Sequence, residues 1–335
     1  MSQPIETVLA VVLNWRSAEM TERAMRALAR ALDGLDAEIV VVDNDSRDGS
    51  EEALRRAVEN GQWPVPVRVV QSGHNGGYGF GNNVGIRAGR SDGKRPDAVY
   101  ILNSDAFPDK DAIRALIHYL DAHPEVGLAG SQLYNDEDPH HSSAFRFPTL
   151  AGEFEQTART GPISKLLWEK RIVIADLTRT RQVDWLAGAS AMIRQDVLDQ
   201  IGLFDEDFFL YYEETELFLR ARRAGWATMY VTESRVRHLG SVSTGMKDWH
   251  EFPDYWFESR WMYFEKAHGR GYAAAATLAR GAGLLVWKLR RLLGAPRLDA
   301  PGMFRRLMVH GLRRFFGTSA RGTHPLTAEP RRSEP

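Results

Sequence analysis

The stretch Tyr100–Phe107, YILNSDAF, decides how the rest of the chain is read. An apolar run, Ala98 to Leu102, breaks off into Asn103, Ser104 and Asp105, so a carboxylate arrives at the end of what reads as a buried strand. Such a group is seldom buried unless paired or used. Moving outward, the same design recurs. Val8 to Trp15 carries Asn14 near its end, Glu38 to Asp43 runs into DNDS, and Val67 to Val70 leads to Asn75. Helical patterns fill the gaps: Met20, Ala24, Ala27, Leu28 and Ala31 fall at three- and four-residue spacing, with Ser17 as a cap. DNDSRDGSEEALRRAV starts a second helix with Asp48 or Ser50 at its mouth, and Asp109 opens DKDAIRALIHYLDA. Strand alternating with helix predicts a mostly parallel sheet flanked by helices. Ligands of such sheets sit beyond the carboxyl ends of the strands. Asn14, Asp43, Asp45, Asn75 and Asp105 should therefore collect on one edge. Each of them alone would pass for an ordinary turn former; together they favour a site.

The chain has 335 residues, 43% of them apolar and 26% charged, with no cysteine, which excludes disulfides and thiolate metal sites. The opening MSQPIETVLAVVLNW has no basic segment and no cleavage site, so it reads as a first strand rather than a leader, and a cytoplasmic location is expected. Charge is uneven. From Arg270 onward there are thirteen Lys and Arg against three Asp and Glu, a basic end suited to an anionic partner.

SGHNGGYGFGNNVGIRAG packs Gly73, Gly76, Gly77, Gly79, Gly81 and Gly85 into what reads as a loop between strand and helix. It follows the third strand rather than the first, which argues against a dinucleotide fingerprint, and it has no Walker lysine. Near Pro139 the chain turns polar. From Val183 it reads as strand, short helix, an acidic and aromatic loop, helix, strand and loop. Glu213 and Glu214 fall in the first turn of a helix beginning near Tyr212, where acids complement the helix dipole and could equally serve as catalytic carboxylates.

The order and spacing of VLNW, VVDNDS, HNGGYGFGNNVGI, YILNSDA, WLAGASAMIRQDVL, GLFDEDFFLYYEETELFLRARRAGW and RHLGSVS resemble the inverting family 2 glycosyltransferases of GT-A fold, in particular their rhamnosyltransferase-like branch. The likeness runs from about Val8 to Thr244, and more loosely through YWFESRWMYFEKAHG. It implies an α/β fold with a nucleotide-sugar-binding half (1–135), a mixed acceptor half (136–245), a helical basic extension (246–316) and a disordered tail (317–335). It also implies that Asp43 accepts a hydrogen bond from a nucleobase, with Asn14 and Asp45 beside it. Asn75, Gly76 and Asn82 would border the nucleotide and sugar, together with Asn103 and Ser104. Asp105 would stand at the last position of the D-x-D motif, and with His238 would hold Mn²⁺ or Mg²⁺ against the diphosphate. Glu214, or its neighbour Glu213, would be the base that deprotonates the acceptor, and Trp185, Tyr211 and Tyr212 would stack on sugars.

Two departures from that pattern stand out. Asn103 replaces the first aspartate of D-x-D, and Glu-Glu replaces the usual Glu-Asp. The implied partners are a nucleotide-diphosphate sugar, dTDP-rhamnose first and UDP-sugars next, and a glycan or lipid-linked acceptor. No nucleic acid is expected, and a homo-oligomer is compatible with the sequence. AAAATLARGAGLLVWKLRRLLG reads as an amphipathic helix, with Trp287, Leu289, Leu292 and Leu293 beside Lys288, Arg290 and Arg291. It would either lie on an anionic membrane at the inner face of the plasma membrane or pack on the protein itself. A nucleotidyltransferase and a non-catalytic sugar-binding protein are the competing readings. The first would place a glycine-rich, basic triphosphate loop where this chain has NWRSAEM.

Overall fold

The computed structural model describes residues 3–135, 138, 142–240, 251–294 and 301–317. Its first half is the alternation the sequence predicts: β1 (Thr7–Asn14), α1 (Ala18–Leu32), β2 (Asp36–Asp43), α2 (Ser50–Asn60), β3 (Val67–Gln71), α3 (Gly77–Ala88) and β4 (Ala98–Asn103). β5 (Ala106–Pro108), α4 (Ala112–Ala122) and β6 (Val126–Tyr134) follow. The second half contains β7 (Ala144–Phe145), α5 (Leu150–Ala158), α6 (Gly161–Leu166), β8 (Arg181–Val183), β9 (Trp185–Leu186), β10 (Ser190–Arg194), α7 (Gln195–Ile201), α8 (Glu213–Arg223) and β11 (Ala227–His238). Three helices, α9 (Asp254–His268), α10 (Arg270–Leu292) and α11 (Met303–Phe316), complete the described chain.

The main sheet runs in the order β3-β2-β1-β4-β10-β6-β11-β5, with β8 added to β11. β1, β2, β3 and β4 are mutually parallel, whereas β10 runs antiparallel to both β4 and β6. Strand order reverses between β1 and β4, and that switch point opens the crevice where a ligand can enter. β1 is buried on both faces, which is why it reads as an unbroken apolar run. Val8, Ala10 and Val12 pack with Met25, Leu28 and Leu32 of α1 and with Ile113 and Leu116 of α4. Leu9 and Val11 face the other way, into a cluster holding Ile86 of α3 and Leu217 and Phe218 of α8. Each such fully buried side chain contributes roughly 1.5–3 kcal/mol.

Four local expectations are corrected. The glycine-rich stretch is not an open loop: from Gly77 it is helix α3. A Cβ on Gly85 would meet Val11 Cγ1 at 2.5 Å, and one on Gly81 would meet Leu13 Cδ1 at 2.4 Å, so these glycines let the helix lie directly on β1. Ser17 sits at the cap position of α1 without a capping bond from its side chain, because its Oγ is directed to Asn14 Oδ1 at 3.3 Å. Asp111 rather than Asp109 stands at the cap position of α4, without a capping bond from its side chain, while Asp109 accepts from the Tyr134 hydroxyl at 2.7 Å. Trp287 is 4% exposed and turned inward, although Leu289 and Leu292 of the same helix, and Leu293 just past its end, stay exposed as expected. The expected disordered tail, residues 317–335, lies outside the described residues apart from Gly317. No described helix is long and apolar enough to cross a membrane.

Candidate active site

The carboxyl ends of β1, β2 and β4 carry the first group of polar side chains. In register, Asn14 lies beside Asp43, Leu13 beside Asn103, and Asp43 beside Gln71. Asn14 and Asp43 are fully buried. Asp43 Oδ1 accepts from Asn14 Nδ2 at 2.7 Å and Ser46 Oγ at 2.5 Å, while Oδ2 accepts from Ser46 N at 3.1 Å and Gln71 Nε2 at 3.0 Å. Both oxygens are thus held by protein donors, and the carboxylate braces the β2–α2 loop. Asp45 follows at φ 56°, paired with Arg47 at 2.7 Å. Asn75 Oδ1 accepts from Gly77 N and from Asn44 Nδ2, both at 3.0 Å, tying the start of α3 to β2. Asn82 is buried in α3, its amide donating to Tyr78 O at 3.0 Å.

At the end of β4, Ser104 and Asp105 are buried and Asn103 is half-buried. Ser17 Oγ, just past the end of β1, lies 3.4 Å from Ser104 Oγ, just past the end of β4. Asp105 Oδ1 lies 3.3 Å from His238 Nε2, because the backbone pairing of β5 with β11 sets Ala106 opposite His238. A carboxylate oxygen and an imidazole nitrogen at that spacing suit a shared divalent cation. Among the described residues no set of three or more His, Asp or Glu gathers to hold a metal, so these two would be completed by ligands from outside the chain.

The second group is built at the start of α8. Tyr211 and Tyr212 both adopt φ 70°, a left-handed pair that turns the chain into the helix and costs of order 1–3 kcal/mol for each residue. Glu213 is 1% exposed, and its Oε2 has no partner among the described residues. Burial pushes its carboxyl well above the usual carboxylate range, and the neighbouring charge of Glu214 pushes it further. Burial raises Glu214 as well, opposed by its own N–H and that of Gly188, which donates to Oε1 at 3.4 Å. Glu214 lines a cavity of about 410 Å³ together with Trp185, Tyr211 and Tyr212. Trp185 stacks on Phe145 at 4.2 Å between centroids and donates to Arg146 O at 3.0 Å.

Tyr78 joins the two groups. Its hydroxyl donates to Gly188 O at 2.6 Å and its N–H to Phe209 O at 2.9 Å. Burial, then the charges of Glu214, Glu213 and Asp105, raise its phenol well above the ordinary value, so all three carboxylates act on one ring. Sequence reading passed over Tyr78, Gln71, Ser46, Asn44 and Asn83. Asn83 clamps the loop before α8, exchanging bonds with Phe204 O and N at 2.8 and 3.0 Å. Polar residues on the inner face of a glycine-rich helix were the available signal. The acidic run before α8 is structural: Lys266 bonds Asp205 and Asp207 at 2.5 and 2.6 Å, and Glu206 bonds Arg87 at 2.6 Å. Among the described residues six non-glycine residues have positive φ, and Arg16, Asp45, Arg47, Tyr211 and Tyr212 all flank this site while Arg159 lines the cavity.

The family model described as glycosyltransferase like family 2 matches residues 4–274. The N-acetylglucosaminyl-diphospho-decaprenol L-rhamnosyltransferase of Mycobacterium tuberculosis is 29% identical over 221 residues, 62% of this chain and 68% of that protein. The low-salt glycan biosynthesis hexosyltransferase Agl10 of Haloferax volcanii is 30% identical over 222 residues, 65% of this chain and 62% of that protein. Among solved structures, mannosyltransferase PcManGT from Pyrobaculum calidifontis, in complex with GDP-Man and Mn²⁺, superposes with a TM-score of 0.58 at 16% identity, covering 94% of this chain and 88% of that one. At that identity the match speaks for the fold, which is GT-A. With the sheet, its switch point and the family match in agreement, the chain belongs to the family 2 glycosyltransferases, and is similar to rhamnosyltransferases among them.

Proposed function

We propose that this glycosyltransferase moves a sugar, with rhamnose from dTDP-rhamnose the favoured donor, onto a glycan or lipid-linked acceptor of cell-surface polysaccharide, with inversion at the anomeric carbon. The observation that carries the reading is Glu214: a carboxyl raised by burial, at a helix start, bordering an aromatic cavity. Glu214 takes the proton of the acceptor hydroxyl as that oxygen bonds to the anomeric carbon, and the bond from that carbon to the diphosphate breaks. Glu213 stays protonated beside it, which keeps the helix start from carrying two charges. Asn14, Asp43, Asp45, Asn75, Gly76 and Asn82 shape the nucleotide side of the crevice, and Asn103 and Ser104 border the sugar phosphates. A Mn²⁺ or Mg²⁺ held by Asp105 and His238 would supply neutralising charge to the departing nucleoside diphosphate.

The partner set extends to an anionic membrane. Neither α10 nor α11 contains an Asp or Glu. Leu278, Leu285, Leu289 and Leu292 lie exposed along α10 with Leu293 just past its end, and Val309, Leu312 and Phe316 along α11, where Arg305 and Arg313 are also exposed. An apolar face edged by arginine and lysine suits the inner leaflet. Sedimentation with phosphatidylglycerol vesicles but not with phosphatidylcholine vesicles is the expected result, and equal recovery with neither would remove the membrane from the scheme.

The test of the donor side is thermal stabilisation by dTDP-rhamnose and by UDP- and GDP-sugars, each with Mn²⁺, with Mg²⁺ and with chelator. Stabilisation by one nucleotide class that needs metal, and that Asp105→Asn removes, supports the reading and identifies the base. A folded protein that responds to none of them, and transfers no sugar, would return it to a binding role.

A further inference from the structure

Behind Glu214 the cavity continues between elements the transfer step does not use. Trp256 of α9, Leu284 and Trp287 of α10 and Met303 of α11 form its far wall, with Arg280 set among them. That wall contains a charge imbalance. Arg260 Nε and Nη2 donate to Glu153 Oε2 at 2.8 and 2.6 Å, and Arg280 Nη1 donates to the same oxygen at 3.2 Å. Glu153, Arg260 and Arg280 are 0%, 1% and 8% exposed, so two guanidinium groups share one carboxylate away from water. Among the described residues no second carboxylate bonds this pair, so one positive charge is left over, and a buried charge without a counter-charge is costly. Gln156 Oε1, at 3.0 Å from Arg280 Nη1, and the Trp256 ring, 4.9 Å from the guanidinium, soften that cost without cancelling it. Arg280 Nε and Trp287 Nε1 are in addition buried donors with no acceptor among the described residues, and both side chains line the cavity. Buried donors in native proteins are nearly always satisfied.

We propose that this cavity binds the phosphate of an amphiphilic acceptor, with Arg280 and Trp287 donating to phosphate oxygens and the aromatic wall packing on the adjoining alkyl chain. The proposal rests on the transfer reading above and narrows its acceptor: a sugar joined through phosphate to a lipid, whose free hydroxyl extends toward Glu214. The excess charge selects the anion, the two N–H groups orient it, and Trp185 and Trp256 in the cavity lining supply apolar surface for the remainder. Arg280 and Trp287 lie about two helical turns apart on the buried face of α10, so a single rigid element carries both donors.

Isothermal titration of the full chain, with chelator present so that metal-dependent donor binding is silent, uses farnesyl diphosphate, farnesol and inorganic diphosphate as probes. Farnesyl diphosphate should bind at least about tenfold more tightly than either of the others. Trp287→Phe, which keeps an aromatic ring in place, should weaken farnesyl diphosphate by about five- to tenfold and leave farnesol unchanged; Arg280→Lys should act in the same direction. Farnesol binding as well as farnesyl diphosphate would overturn the anion site. Inorganic diphosphate binding as tightly as the prenyl form would make this a free-phosphate site and overturn the acceptor role. Unchanged affinity in both variants would assign the donors to buried water instead. Stabilisation by nucleotide-sugar with Mn²⁺, measured on the same samples, separates the two ideas: if it persists while farnesyl diphosphate fails to bind, only the cavity proposal falls.

Discussion

Glu213→Gln and Glu214→Gln ought to behave as opposites, although the two residues are adjacent and alike. Glu213 is fully buried, has an oxygen without a partner, and is raised by burial and by its neighbour's charge, so it holds its proton while Glu214 ionises first. Glutamine has the shape of a protonated glutamate. Glu213→Gln should therefore keep kcat within about threefold of the parent, less than ~1 kcal/mol on the barrier. Glu214→Gln removes the proposed base and should lower kcat by about 10²- to 10⁴-fold, or roughly 3–5 kcal/mol, with donor binding intact. The pH dependence has a definite sign. A carboxyl whose folded pKa is raised contributes stability that is fully present below its unfolded pKa and is lost as pH rises through the folded one. Glu213→Gln should therefore raise Tm relative to the parent at pH 8, with the gain shrinking toward pH 4. The assay is steady-state transfer by each variant across pH 5–9, alongside thermal melts. A deeper loss in Glu213→Gln than in Glu214→Gln would refute this assignment of the proton, and near-parental activity in Glu214→Gln would refute the base.

The buried cluster of α5, α9 and α10 orders two further variants. Glu153→Gln leaves two buried guanidinium groups facing each other and should cost about 3–5 kcal/mol, whereas Arg260→Met leaves Glu153 paired with Arg280 and should cost distinctly less; urea midpoints decide, and the reverse order would show that the positive charge is not in excess. A Cβ on Gly77, at φ 90°, would fall 1.8 Å from Phe209 O, so Gly77→Ala should displace the loop leading to Tyr212 and lower transfer with Glu214 unchanged. Gly85→Ala, which presses on Val11 and Val42 instead, should cost about 1–3 kcal/mol in stability with smaller effect on kcat. Equal losses of activity in the two glycine variants would deny α3 its part in setting the base.

What could be read in advance follows from the range of the interactions. β1, β2 and β4 are buried on both faces, so each had to carry a continuous apolar run and to end where polar residues meet solvent or ligand, whereas β3, at the sheet edge, is only half-buried and admits Arg68. YILNSDAF therefore announced both a strand and its edge position, and β11 reached the same place only because its backbone pairs with β5. The glycine stretch was misread because glycine density signals freedom or close approach with equal force. Its local pattern holds no record of Leu13, Val11 and Phe209, the atoms that make it a tightly packed helix. YWFESRWMYFEKAHG is as silent about its surroundings: nothing in its local pattern places Arg260 inside, matched by Glu153 from more than a hundred residues away.

The sequence by itself determined the sheet, the family and the identities of Asp105, Glu213, Glu214 and His238 as the residues to watch, since residue type and spacing along the chain carry that information. Tertiary structure alone decided that Asp105 and His238 stand 3.3 Å apart, that Tyr78 ties the two carboxylate groups together, and that Arg280 shares a carboxylate with Arg260. These are distances between segments remote along the chain. They exist only after the chain has closed its long loops and buried the faces between them, and it is burial that raises the carboxyls of Glu213 and Glu214 above the ordinary carboxylate range.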